Sequence, residues 1–249
     1  MRSRTGVALG CAVALLGAGC HHFDPRSYTS PEALYRASMR QFRTGHFDRA
    51  QAGFQALTFN VGARDTLYPL ARYFLAESYF GQGDFLAAAR EFRRVSDETP
   101  EYRLAPDALL RAGDSYAKLW TRPQLDPGNG QTALATYREL QGRYPDAAAT
   151  RIAAARVRQL TEEFARKELE NAEFYFQRGA YDSAILYFKD LIASYSSSSV
   201  VPIAYVYLAR SYQAIGYREE LTETCAFLRQ NYARRADVRR YCGDGLVRR

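Results

Sequence analysis

Residues 167–191 read KELENAEFYFQRGAYDSAILYFKDL, and the fold turns on this stretch. Ala172, Tyr175 and Phe176 fall on one face of a first helix. Gly179 interrupts the pattern, and Tyr181, Ala184, Ile185, Phe188 and Leu191 restart it at i, i+3, i+4 spacing. The spacing predicts two helices folded back on each other. Small Ala172 and Ala184 leave room for the large Tyr and Phe side chains of the facing helix, and glycine supplies the backbone freedom of a short reversal.

The unit recurs in register. Gly45-His46-Phe47 is followed by Ala50 and Phe54, Gly83-Asp84-Phe85 by Ala88 and Phe92, and Gly216-Tyr217 by Leu221 and Cys225. A tyrosine stands four residues before the turn glycine as Tyr79, Tyr175 and Tyr212. Another copy is split: Gly113 and Tyr116 open it, and Ala133, Tyr137, Leu140 and Pro145 close it beyond an inserted loop. A small-x-x-Tyr, Gly-x-aromatic, Ala-x-x-x-Phe pattern with this period resembles the tetratricopeptide repeat. About five such units between Pro31 and Tyr232 imply an all-α, right-handed α-solenoid following a signal peptide; a non-repetitive helical bundle does not explain the register.

Arg2 and Arg4 precede an apolar run, Val7 to Ala18, that is too short to span a bilayer but fits a signal-peptide core. It ends at Leu15-Leu16-Gly17-Ala18-Gly19-Cys20, which resembles the lipobox of bacterial lipoproteins, with Gly17 where leucine is usual. That resemblance implies acylation of Cys20, and His21 after it implies delivery to the outer membrane. A plain secretory signal cut after a small residue is the alternative. The expected division is 1–19 signal peptide, 20–30 lipidated tether, 31–147 three repeats, 148–233 two repeats and 234–249 basic tail.

Charge and chemistry narrow the function. Arg2 and Arg4 belong to the signal, and residues 229–249 carry seven Arg against Asp237 and Asp244, so of the formal +7 little is left on the repeat body. A nucleic-acid channel would need basic residues along the solenoid, so nucleic acid is not an expected partner. With three histidines in all, a histidine-based active site has almost nothing to draw on, and His21-His22 on a linker makes a poor metal site. Glu162 and Glu163 are adjacent on a helix, about 100° apart, and cannot flank one bond. No enzyme, metal or cofactor is expected. Cys225 and Cys242 admit two readings: a bond closing a loop of about 17 residues and pinning the tail, or a buried Cys225 with a free Cys242.

Ser30 caps a first helix opened by Pro31. Tyr35, Met39 and Phe42 in repeat one, and Leu70, Tyr73, Glu77 and Phe80 in repeat two, fall toward the inner curve. They either pack between successive helices or line a groove for an extended peptide. Residues 119–131, LWTRPQLDPGNGQ, read as a long turn, with Gly128-Asn129-Gly130 in the turn and Trp120 anchoring it. The serine run Ser196–Ser199 reads as the loosest linker in the solenoid.

The lipobox, the five units, the split third unit running from Asp126-Pro127 to Tyr144-Pro145, and KELENAEFYFQRGAYDSAILYF together resemble the BamD family. This is the lipoprotein of the outer-membrane β-barrel assembly machine. The resemblance implies that the N-terminal repeats recognise C-terminal signals of unfolded outer-membrane proteins, through Tyr35, Met39, Phe42, Tyr73, Glu77 and Phe80. It also implies that the C-terminal repeats dock on the periplasmic domains of the barrel-forming subunit, through Glu163, Arg166, Glu168 and Glu173. Glu163 departs from the family, which often has a basic residue there. Another periplasmic repeat adaptor, a pilus-assembly pilotin or the coordinator of the Tol–Pal system, is the alternative.

Overall fold

Four turn glycines set the helix-pair register: Gly45, Gly83, Gly179 and Gly216 all have φ between 73° and 83°, the left-handed region. A Cβ on any of them would meet nothing within 4 Å, so glycine is there for its backbone and not for space. Each sits in a helix C-terminal motif in which the next residue donates back across the turn. Asp84 N–H donates to Tyr79 O (3.0 Å), Ala180 to Tyr175 O (3.0 Å) and Tyr217 to Tyr212 O (2.9 Å). The tyrosine four residues before the glycine therefore supplies the closing carbonyl.

The computed structural model describes residues 23–121 and 126–243; Cys20 and the signal sequence lie outside them. The helices are α1 (Pro31–Arg43), α2 (Phe47–Asn60), α3 (Leu67–Gln82), α4 (Phe85–Glu98), α5 (Ala105–Leu119) and α6 (Gly128–Arg143). They continue as α7 (Ala148–Gln177), α8 (Tyr181–Ser194), α9 (Val201–Ile215), α10 (Arg218–Tyr232) and α11 (Ala236–Tyr241). Ser30 Oγ accepts from Ala33 N–H (3.2 Å) with Pro31 in the first turn, and Asp84 accepts from Ala87 N–H (3.0 Å).

Each helix packs on the next, and α1 on α3, α5 on α7 and α7 on α9 join successive repeats. Apolar clusters follow one another along the stack. Leu34, Phe54 and Leu75 centre the first, Phe92 and Val95 the second, Leu109, Tyr137 and Leu140 the third, and Phe188 and Leu191 the fourth. This is the quasi-linear core of an α-solenoid.

Four features correct the sequence reading. Gly128-Asn129-Gly130 is the first turn of α6, because Gly130 must pass beneath the Trp120 indole, where a Cβ would come within 2.8 Å of the ring. The tether is docked from Phe23 onward. Phe23 is buried in the first core against Gly53, where a Cβ would sit 2.8 Å from its ring.

Helix α7, which opens at residue 148, serves two successive cores. Ala149, Ala153, Leu160 and Phe164 belong to the third core, whereas Ala165, Leu169 and Ala172 belong to the fourth. The serine linker is clasped: Glu162 accepts from Ser198 Oγ (2.6 Å), Ser199 N–H (3.1 Å) and Ser199 Oγ. Finally, the basic tail begins as structure. Val238 and Cys242 are buried with Cys225 and Leu228 in a last core, and α11 closes the stack.

Cys225 and Cys242 are joined by a disulfide, with Cα atoms 5.1 Å apart, inside the usual span. Arg229 donates to Cys242 O (2.9 Å) and fixes the same end.

Candidate functional site

Helices α1 and α3 carry the six residues expected to line a peptide groove, and all six are half-buried. Tyr35 lies 6.0 Å from Phe54 and 6.4 Å from Phe74, measured between ring centres. Phe42 meets Phe47 and Phe74, both at 5.5 Å, and Tyr73 meets Phe74 and Phe92, again at 5.5 Å. Met39 packs on the same cluster. The hub is Phe74, which sequence reasoning missed because it falls between the two faces of α3. Burial, then the Glu77 carboxylate, pushes the Tyr73 phenol well above the usual range; burial also raises Tyr35. These rings chiefly hold one repeat to the next, so packing accounts for most of this surface.

An opening remains at the C-terminal end of the row. Phe80 lies edge-on to Phe85 at 5.0 Å and is covered by the Arg111 guanidinium at 3.9 Å. Arg111 Nε and Nη2 each donate to a Glu77 carboxylate oxygen at 2.8 Å, a bidentate pair between α5 and α3. Burial lowers the Arg111 pKa, but the bonds to Glu77 and its charge outweigh that and raise it.

Beyond Arg111 lies a cavity of about 450 Å³, walled by α3, α5, α6 and α7, with Trp120 at its edge. Asp114 is the centre of its wiring. It accepts from Tyr137 Oη (2.7 Å) and pairs with Arg111 (3.5 Å) and Arg156 (3.4 Å). Burial and the Asp114 carboxylate raise the Tyr137 phenol, keeping it a donor. Tyr137 fits because Gly113 faces its ring, where a Cβ would come within 2.7 Å of Cδ1.

Glu163, expected on the docking side, lines this same cavity and accepts from Gln159 (3.0 Å). Phe80 and Glu163, assigned to different partners from sequence, thus face one space. Arg111, Asp114 and Arg156 were not legible as a site, since their partners lie on other helices.

The other docking candidates scatter. Arg166 is exposed on α7, 3.6 Å from Glu162. Glu168 accepts from Asn171 (3.2 Å). Glu173 turns toward Tyr207 of α9, and burial raises its pKa. The open apolar surface of α7 and α8 is elsewhere: Phe174 is 48% and Leu186 60% exposed. Between them Tyr175 and Tyr187 stack at 4.7 Å beside a hollow of about 470 Å³. Arg178 covers Phe174 at 4.3 Å. At the far end Arg210 lies among Phe176, Tyr207 and Tyr241, within 4.6 to 5.0 Å of each ring.

Among the described residues no three His, Cys, Asp or Glu side chains converge as metal ligands, and no helix is long and apolar enough to cross a membrane. Stacked helix pairs with left-handed glycine turns and aromatic faces define a tetratricopeptide-repeat protein. The chain belongs to the YfiO family of outer membrane lipoproteins, whose match runs over residues 28–227. It is similar to the outer membrane protein assembly factor BamD of Neisseria gonorrhoeae, 24% identical over 221 residues, covering 82% of this chain and 79% of that one. Solved structures with a similar fold include a repeat protein of Bacteroides fragilis (13% identity, 86% and 97% of the chains, TM-score 0.49). Another is a thermophilic repeat protein of Thermus thermophilus (18% identity, 88% and 100%, TM-score 0.39).

Proposed function

We propose that the chain is a lipid-anchored scaffold of the outer-membrane β-barrel assembly machinery. The family match carries the reading, because it spans both the cavity and the α7–α8 face and includes an assembly factor covered over most of its length. In this reading acylated Cys20 holds the protein on the periplasmic face of the outer membrane. The N-terminal half receives C-terminal signals of unfolded outer-membrane proteins. The exposed Phe174 and Leu186 dock on the periplasmic domains of the barrel-forming subunit, with Arg166 and Glu168 at the rim. No chemistry is required, since holding and yielding a strand needs only modest affinity, micromolar or about −8 kcal/mol.

The test is affinity purification of the full chain from solubilised outer membranes, with mass spectrometry of what is retained. The barrel-forming subunit is expected, and it is lost in the paired variant Phe174→Asp and Leu186→Asp with thermal stability unchanged. Its absence from the wild-type eluate refutes the assignment. Cys20→Ser is expected to move the protein into the soluble fraction.

A further inference from the structure

Phe59, on the last turn of α2, is 79% exposed, more than any other large apolar side chain among the described residues. Ala50, Phe54 and Leu57 of the same helix are buried in the first core, and the Phe59 ring stands off the opposite side. A single exposed ring is ordinary; its position beside the tether is not. Helices α1 and α2 run antiparallel about the Gly45 turn, so the start of α1, the tether before it and the end of α2 share one end of the pair. Phe23 of the tether and Val61, just past Phe59, are buried in the same core. Phe23 lies against Gly53 of α2, and Asp24 ties the single helical turn Pro25–Ser27, accepting from Arg26 N–H at 2.9 Å. The folded body therefore begins at Phe23, the third residue after Cys20, and three residues reach at most about 11 Å. Phe59 lies about 9 Å further along α2 than Gly53. An acylated Cys20 on so short a lead leaves the end of the first helix pair no room to stand clear of the lipid.

We propose that the end of α2 is a membrane-contact surface, with Phe59 inserted into the lipid layer that holds Cys20. Aromatic side chains of interfacial segments enter the boundary between headgroups and acyl chains to a depth of about 5–10 Å. Gly62 and Ala63, both exposed just after Phe59, add no bulk or charge that would hold the ring away. The proposal rests on the reading that Cys20 is acylated, and it adds a second, non-covalent contact made by the folded body. Lipid is the occupant because the short lead puts lipid there, whereas nothing holds another protein at this end. This end carries Arg26 and Arg64 but also Asp24, Glu32 and Asp65, so charge gives no net pull. The ring does the holding, and the contact persists in high salt. The first helix pair is then a foot, and the stack stands on the membrane in a set direction instead of swinging on its anchor.

The experiment uses the full acylated chain reconstituted in vesicles of phosphatidylethanolamine and phosphatidylglycerol, with brominated acyl chains as the quencher. Trp120→Phe removes the only tryptophan, and either Phe59→Trp or Leu86→Trp is added to it. Leu86, 49% exposed beside the Gly83 turn, is the control: an exposed apolar position at the turn end of a helix pair. Quenching at position 59 is expected to be several-fold stronger than at position 86 and unchanged in high salt. Like quenching at the two positions, on a chain that still floats with the vesicles, overturns the contact and leaves the anchor standing. A chain that does not float overturns the anchor and the contact together. Quenching at position 59 that disappears in high salt overturns insertion of the ring in favour of attraction by charge.

Discussion

Arg111 is where the packing of the N-terminal half can be measured. Its guanidinium makes both bonds to Glu77 at 2.8 Å, lies 3.9 Å over Phe80 and reaches Asp114 at 3.5 Å. The side chains of Arg111 and Glu77 are 25% and 17% exposed. Arg111→Met keeps much of the apolar stem and removes the charge, leaving the Glu77 carboxylate beside the Tyr73 phenol with no cation. Breaking a fully buried pair costs about 3–5 kcal/mol; with this exposure about 2 kcal/mol is expected, and loss of the cation–π contact adds roughly 0.5–1 kcal/mol. Glu77→Gln can keep one bond and should cost about 1 kcal/mol.

The double variant is the discriminating one. Once Glu77 carries no charge there is nothing to strand, so the double should cost about 1.5 kcal/mol less than the sum of the singles. Trp120, the sole tryptophan, follows α5 directly and reports locally on this repeat. Urea unfolding followed by its fluorescence, alongside far-UV circular dichroism, separates local loss from unzipping of the whole stack. Additive single effects, or an Arg111→Met cost below about 0.5 kcal/mol, would refute the claim that this pair joins α3 to α5.

Acid should loosen the α4–α6 contact. Burial pushes Glu139 up, but its bonds to Arg93 and Arg143 outweigh that and hold its pKa below the ordinary glutamate value. A lowered carboxylate stabilises above the ordinary glutamate range, and that contribution is lost as pH falls through it toward the depressed value. Thermal melts from pH 7 to 3 should therefore show a smaller acid loss in Glu139→Gln than in the wild type. Glu162→Ala removes the clasp on Ser198 and Ser199 and should speed amide exchange across residues 198–201 roughly tenfold, read by mass spectrometry. Cys242→Ser should cost about 3 kcal/mol at the C-terminal end. It should also open the chain after Tyr232 to limited proteolysis, while the N-terminal repeats keep their protection.

What the sequence makes legible is what the chain writes locally. The turn glycines, the tyrosine four residues before three of them and the alanine–phenylalanine pairs of the second helices all recur at fixed spacing, and each keeps its expected place. The binding surfaces are less legible because their partners are distant in sequence. Arg111 finds Glu77 34 residues away, and Arg93 finds Glu139 46 residues away; no local pattern encodes either meeting. A face assignment along α3 identifies Tyr73 and Phe80 but cannot say that Phe74 gathers Tyr35, Phe42 and Phe54 around it. Gly128-Asn129-Gly130 misleads because three small residues normally mark a turn, whereas here the indole of Trp120 needs a helix without a side chain beneath it. The serine run misleads for the opposite reason: hydroxyls that ordinarily face water have found one carboxylate, Glu162, on the preceding long helix.

That helix, α7, is 30 residues long, about 45 Å from end to end. Arg156 on its first half and Glu163 at its middle wall the cavity, and Phe174 near its C-terminal end stands in the open, with no break between. A rod of that length tilted about 10° around its middle carries each tip some 4 Å, roughly the width of a side chain. A tilt of the rod as a whole that moved the wall at Arg156 would carry the surface at Phe174 with it. The protein has a crossbeam where two separate hinged halves would otherwise be drawn.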